Sequence, residues 1–471
     1  MATISSPGIG SGLDVQSIVS QLVALERVPL NRLETQASTI QSKLSLFGNI
    51  KSQMSALGDV ASKLSSASSW AVTTAASSNA QAVSVTSSSS TPAGTYSVGV
   101  QQLARAQSAS SGAVAQGTTM GTGSITIELG SWSGSSFTAS GSTPSSITID
   151  AGADSLTDIA ASINAADAGV TAAVLRDASG ERLLLQSKDT GTTNGFRITV
   201  ADDDGNNTDA AGLSRLAFDP GTASGMTLAQ SALDAQLTIN GVSTTSASNR
   251  LTDTLPGMTL QLSEVTSQPV QLTVASDTAG IRKNIEDFVA AYNKINSTLS
   301  EALKYDEATK KAGLLQGDAT AVGLQNALRS VMRSVTDSSP FTRLLDVGLE
   351  IKSGGSLEID SSKLDNALQN LSDVKSLFTV TTGAATTEGF GLKLKNFANG
   401  LLDADGSLTY RSEALQSALD RNEKEQDRIT TRLGTVEQRL LAQYSALDTK
   451  LAGLNSLSSF VTQQLTLWNN S

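Results

Sequence analysis

The run from Thr409 to Leu467 constrains this chain more than any other stretch. Its apolar residues Ile429, Leu433, Val436, Leu440, Tyr444, Leu447, Leu451, Leu454 and Val461 follow one another mostly at steps of three or four. That spacing puts them on one stripe of a helix. No proline interrupts the run, and Arg421, Glu423, Lys424, Glu425, Asp427, Arg428 and Arg432 keep the other faces wet. At about 1.5 Å per residue, such a helix is roughly 85 Å long. A stripe so narrow and long needs partner helices, in a coiled coil. The plainer alternative is a solvated helix lying along its own domain. The two successive steps of four from Val436 through Leu440 to Tyr444 slip the heptad towards an eleven-residue period and locally unwind the supercoil.

The other end of the chain repeats the theme. Ser11 and Asp14 form a capping-box pattern ahead of Ile18, Leu22 and Leu25, and Pro29 ends or kinks that helix. Leu33, Ala37, Ile40, Leu44, Phe47, Ile50, Met54, Leu57 and Leu64 then mark a longer helix with polar flanks. Two long amphipathic helices at opposite ends of one chain are natural partners for each other.

Between them the pattern changes twice. From about residue 76 to 276 the alternation has a period of two, as in Tyr96–Val98–Val100, Ile125–Ile127–Leu129, Leu183–Leu185, Phe196–Ile198–Val200 and Leu272–Val274. That reads as short strands. Asn240–Gly241 between Ile239 and Val242 is a strong hairpin signal, and Ser155 with Asp158 caps one short helix. Two β domains are expected, split near residues 121 and 234. Helical spacing returns in Ile281, Ile285, Phe288, Tyr292, Ile295 and Leu299, then in Leu324, Leu328, Val331 and Val335 behind an Asp318 cap. The expected fold class is α+β and multidomain. Residues 1–40 and 410–471 form a coiled-coil leg, 41–75 and 277–409 a helical bundle, and 76–120 with 235–276 a first β domain. A second β domain spans 121–234, and the β-rich insert is expected at the far end from the termini.

Composition narrows the chemistry. The 471 residues include no cysteine and no histidine, so neither disulfides nor thiolate or imidazole chemistry is available. A net charge of −11 offers no basic footprint for a nucleic acid. No apolar run is long enough to span a membrane, and no basic residue precedes Arg27 as a secretory signal would require. Asp202, Asp204 and Asn206 imitate the start of an EF-hand loop, but Asn207 and Leu213 stand where glycine and glutamate are needed. Asp403, Asp405 and Ser407 fail in the same way, so no metal or other cofactor is expected. Nothing gathers carboxylates into a pocket, and an enzyme is not expected.

Several stretches are specific. SPGIGSGLD near the start, AGTYSVGVQQLARAQ at 93–107, SLTDIAASINAADAGVTAAVL at 155–175, FVAAYNKIN at 288–296, GLLQGD at 313–318 and SSFVTQQLTLWN near the end together resemble the flagellar filament cap family, hook-associated protein 2. The 155–175 run resembles a motif shared by flagellar hook and filament proteins. The resemblance implies a homo-oligomeric ring, commonly a pentamer, at the extracellular tip of the bacterial flagellum. It also implies export through the type III channel with an export chaperone, and helical legs that dock on flagellin and hook–filament junction proteins. Exported flagellin then folds beneath the β domains and is inserted. By this resemblance Leu433, Val436, Leu440, Leu447, Leu451, Leu454 and Val461 are docking or oligomerisation residues, opposite Ile40, Leu44, Phe47 and Met54. The competing expectations are another axial flagellar protein, flagellin or a junction protein, and an outward-facing adhesin whose β domains bind glycans.

Overall fold

The computed structural model describes residues 14–469 apart from Ser90, 221–224, Ser339 and Ala385. Its helices in chain order are α1 (Val15–Glu26), α2 (Val28–Ser65), α3 (Leu156–Ala165), α4 (Thr278–Leu303) and α5 (Ala319–Arg333). Then come α6 (Ser361–Leu368), α7 (Leu371–Thr379), α8 (Phe390–Leu402) and α9 (Ser407–Asn469). The chain forms two compact units, Ala71–Asp277 and the remainder on either side of it.

The helical unit is built on α2 and α4. Phe47, Ile50, Met54, Leu57 and Leu64 of α2 meet Ile281, Ile285, Phe288, Tyr292, Ile295 and Leu299 of α4 in one buried core. Leu324 and Leu328 of α5, Phe378 of α7, and Phe390 and Leu394 of α8 complete it. At Gly58 of α2 an added Cβ would lie 3.0 Å from the Ala398 Cβ of α8, so a small residue there lets the two helices pack closely. Trp70 stacks on Phe378 with ring centroids 5.5 Å apart, and the Tyr292 hydroxyl donates to the Gly355 carbonyl at 2.7 Å. Burial holds the Tyr292 phenol above its ordinary pKa.

Two of the expected boundaries fall within continuous helices. The division between leg and bundle falls inside α2 near residue 40 and just after the start of α9, yet both helices run through unbroken. Periodicity reports a helix, not where its neighbours change. Pro29 does break the N-terminal helix, separating α1 from α2 at Arg27. Ser11 lies outside the described residues, and Asp14 itself is the cap of α1, accepting from the Ser17 N–H at 2.9 Å.

The β unit holds two separate cores. In the first, a five-stranded antiparallel sheet runs Thr73–Ser77, Val270–Ser276, Gly94–Gln102, Ala235–Ile239, Val242–Ser246. A three-stranded sheet of Arg250–Leu255, Met258–Leu262 and Val83–Ser87 accompanies it. Val98, Val100, Leu237, Leu260 and Leu272 are buried in this core. Asn240 and Gly241 make the expected hairpin turn, both at positive φ.

The second core lies around Gly123–Ser133, which pairs with Gly195–Asp202, Ser136–Ala139 and Ser145–Ile149. A second sheet of Met226–Gln230, Ser108–Ser111, Gly180–Ser187 and Val170–Asp177 belongs to the same core, as does α3. The strand Ser108–Ser111 places the passage into this core ahead of Ala109, earlier than residue 121. Its sequence, SASS, has no apolar alternation to reveal it.

Candidate docking surface

The long helix begins at the bundle and leaves it. At its root, Leu408, Leu415 and Leu419 are buried, and the first two belong to the core of the helical unit. Lys51 of α2 donates to the Thr409 hydroxyl at 3.2 Å, and the Arg411 guanidinium grips the Asp318 carboxylate. Further along, Arg432 meets Glu26 of α1 at 3.2 Å. Both partners of that pair are exposed, so it adds little stability, but with the Lys51 contact it fixes the register of an antiparallel pairing. Val15 and Val19 of α1 are buried.

That register sorts the expected docking residues. Leu433 is buried, and Val436, Leu440 and Leu451 are half-buried. Leu447, Leu454 and Val461 are exposed, Leu454 to 60%. Ile40 and Leu44 are half-buried against the bundle core, while Phe47 and Met54 are wholly inside it. These four do not lie opposite the 433–461 stripe. Between the Lys51–Thr409 and Glu26–Arg432 ties, Ile40 and Leu44 face the Leu415–Leu419 stretch instead. Equal periodicity on two helices leaves their offset open, and the offset follows from α2 being fixed in the bundle.

Beyond Leu451 the helix has a different character. Leu457, Phe460, Leu465 and Leu467 are exposed alongside Leu454 and Val461, so the apolar surface there is wider than a single seam. After Lys450 the sequence holds no charged residue, whereas charges crowd the stretch from Arg411 to Lys450. That contrast is a sequence signal that points to Leu457, Phe460 and Leu465 as part of the surface. Contiguous exposed apolar surface without charges to solvate it is rare on soluble chains that stand alone.

The carboxylate-rich turn at Asp202–Asp209 closes on itself. Asp202 accepts from the Ser214 N–H at 3.1 Å, and the Asn207 amide oxygen accepts from the Asp202 N–H at 2.7 Å. Among the described residues, no group of three or more acidic, histidine or cysteine side chains could hold a metal ion, and no helix is long and apolar enough to cross a membrane.

Comparison with known proteins places these features. Residues 11–107 and 232–456 match the family models described as the N-terminus and C-terminus of flagellar hook-associated protein 2. Residues 136–189 match the flagellin hook IN motif. The chain is 31% identical over 481 residues to flagellar hook-associated protein 2 of Escherichia coli, covering 100% of both. It is 30% identical to the B-type flagellar hook-associated protein 2 of Pseudomonas aeruginosa, covering 99% of this chain and 98% of that one. A crystal structure of the flagellar cap protein from Escherichia coli superposes with a TM-score of 0.62 at 30% identity, covering 79% of this chain and 99% of that one.

Proposed function

The chain belongs to the flagellar hook-associated protein 2 family, and from that membership we propose that the uncovered stripe of α9 is the surface by which it docks. It is a structural protein, the cap at the tip of the bacterial flagellar filament. The observation that carries the docking reading is the change along one helix. Leu408 and Leu415 at its root are in the core, whereas Leu447, Leu454, Leu457 and Val461 are in water. Such a stripe gains by burial against other helices, about 25 cal/mol for each Å² of apolar surface covered.

In this reading Leu433, Val436 and Leu440 belong to the pairing within the chain. Leu447, Leu451, Leu454 and Val461, joined by Leu457, Phe460 and Leu465, meet helices of flagellin and of the hook–filament junction proteins. Copies of the chain stand in a ring, five being the number the family resemblance implies, and exported flagellin folds and inserts there. The chain reaches this extracellular position through the flagellar export channel, handed over by an export chaperone. The β unit divides into two domains at the passages near residues 105 and 233, a division supported by its two separate cores.

Leu454→Asp tests the docking surface. The variant is expected to fold as the parent does, because the side chain is already in water, and to leave cells shedding flagellin into the medium without growing filaments. Leu454→Met keeps filaments. Normal filaments on Leu454→Asp would remove the docking role from this stripe.

A further inference from the structure

The GLLQGD turn at 313–318 has a geometry of its own. The Gly313 N–H donates to the Lys304 carbonyl at 2.7 Å and the Leu315 N–H to the Ala302 carbonyl at 2.9 Å, fastening the turn to the end of α4. Leu315 is fully buried, and a Cβ on Gly313 would stand 2.4 Å from the Ala302 carbonyl oxygen. Gly317 has a φ of +78°, a conformation that suits glycine. The turn delivers Asp318, whose side chain is only 4% exposed.

The two oxygens of that carboxylate do different jobs. Oδ1 accepts from the Thr320 and Ala321 N–H groups at 3.1 and 3.2 Å, capping α5. Oδ2 accepts from Nε and Nη2 of Arg411 at 3.0 and 2.6 Å. Capping needs only one neutral acceptor. The second oxygen goes to the first turns of α9, and the negative charge serves the Arg411 guanidinium there besides favouring the N-terminus of α5. A buried carboxylate whose guanidinium is removed is left uncompensated, which makes such a pair strongly directional in its effect.

We propose that Asp318 is a positioning residue for the docking helix: through Arg411 it fixes the root of α9 on the bundle. It thereby sets the direction in which the stripe from Leu447 onward is presented. This rests on the docking role of α9 given above. The hydrophobic contacts of Leu408 and Leu415 hold the root close, and the ionic clasp removes the remaining freedom to roll about the helix axis. Asp318→Asn retains a capping oxygen and loses the charge, so the two jobs separate in one substitution.

The test is hydrogen exchange on the full chain, with filament growth in cells carrying the same variants. In Asp318→Asn and Arg411→Met, amides of 407–419 are expected to lose protection at least tenfold, while those of α4 and α5 keep theirs. Filament yield falls several-fold, and Arg411→Lys recovers part of both losses. Unchanged exchange at the root overturns the proposal, as does equal loosening of α4 and α5, which would make the pair an ordinary fold contact. A loosened root beside normal filaments on Arg411→Met also overturns it. Leu454→Asp keeps the two readings apart. It leaves exchange at 407–419 untouched, and normal filaments in that variant alone strike at docking rather than at the clasp.

Discussion

The two halves of α9 share one backbone conformation and one apolar spacing, and they differ in almost everything else. Near the root, Leu415 is 6% exposed within a core that also holds Phe47 and Met54. From Leu454 onward the same kind of leucine stands in water. At about 1.5 Å per residue the whole helix is some 95 Å long, and among the described residues its partner α1 begins only at Val15. Periodicity therefore states what a helix is able to bury. Whether it does so depends on where its partner stops.

Where the chain is cut should show this contrast at its largest. A chain ending at Ala452 is expected to lose filament growth completely while its stability stays within about 0.5 kcal/mol of the parent, since residues 453–467 are all exposed. A chain ending at Asp405 also loses Leu408, Leu415 and Leu419, and its helical unit should melt far earlier. Thermal unfolding of both proteins separates the cases, and equal melting would erase the distinction between root and tip. Single substitutions sharpen it. Leu415→Asp buries an unpaired carboxylate and should cost on the order of 4 kcal/mol, against about 0.5 kcal/mol or less for Leu454→Asp in the isolated chain. Denaturant titration of the two variants reads the difference directly.

Much of the bundle was legible in the sequence, and so was the stripe of Leu447, Leu454 and Val461, whereas the buried root residues Leu408, Leu415 and Leu419 were not. The α4 residues Ile281, Ile285, Phe288, Tyr292, Ile295 and Leu299 were readable as a seam, and all are buried, because a seam with a partner inside one domain leaves both stripes in view. The capping pair Ser155 and Asp158 was equally plain, the Asp158 N–H donating to the Ser155 hydroxyl at 3.2 Å. The offset between α2 and α9 was not legible, since Ile40 and Leu44 suit any leucine stripe until the bundle fixes them. Strands of small polar residues, Thr73–Ser77 and Ser108–Ser111, were invisible because their pairing rests on backbone hydrogen bonds rather than on side-chain alternation.

The smallest expected effect is on pH. Lys363 and Lys352 hold the Glu350 carboxyl down at about 2, from an ordinary 4.5. A depressed pKa contributes stability that is present above pH 4.5 and lost as the pH falls towards about 2. Acid should therefore loosen the hairpin of Leu349–Ile351 and Leu357–Ile359, and Glu350→Gln should flatten the acid limb of the melting curve. The tip of α9, with no ionisable side chain after Lys450, should show no such dependence. A far-ultraviolet signal from a peptide of residues 451–469 with both termini blocked that changed across this range would break the comparison.

The strand Thr73–Ser77 pairs antiparallel with Val270–Ser276, Thr73 opposite Ser276, and the Asp277 N–H donates to the Val72 carbonyl at 2.9 Å. The point where the chain enters the β unit and the point where it leaves are thus neighbours. A short linker in place of 71–277 would close the helical unit with no stretch of main chain left to span a gap. In hereditary terms the β unit is a cassette. Crossovers at its two ends can exchange residues 71–277 as a block, because the helical unit on either side has only one neighbouring pair of chain ends to rejoin.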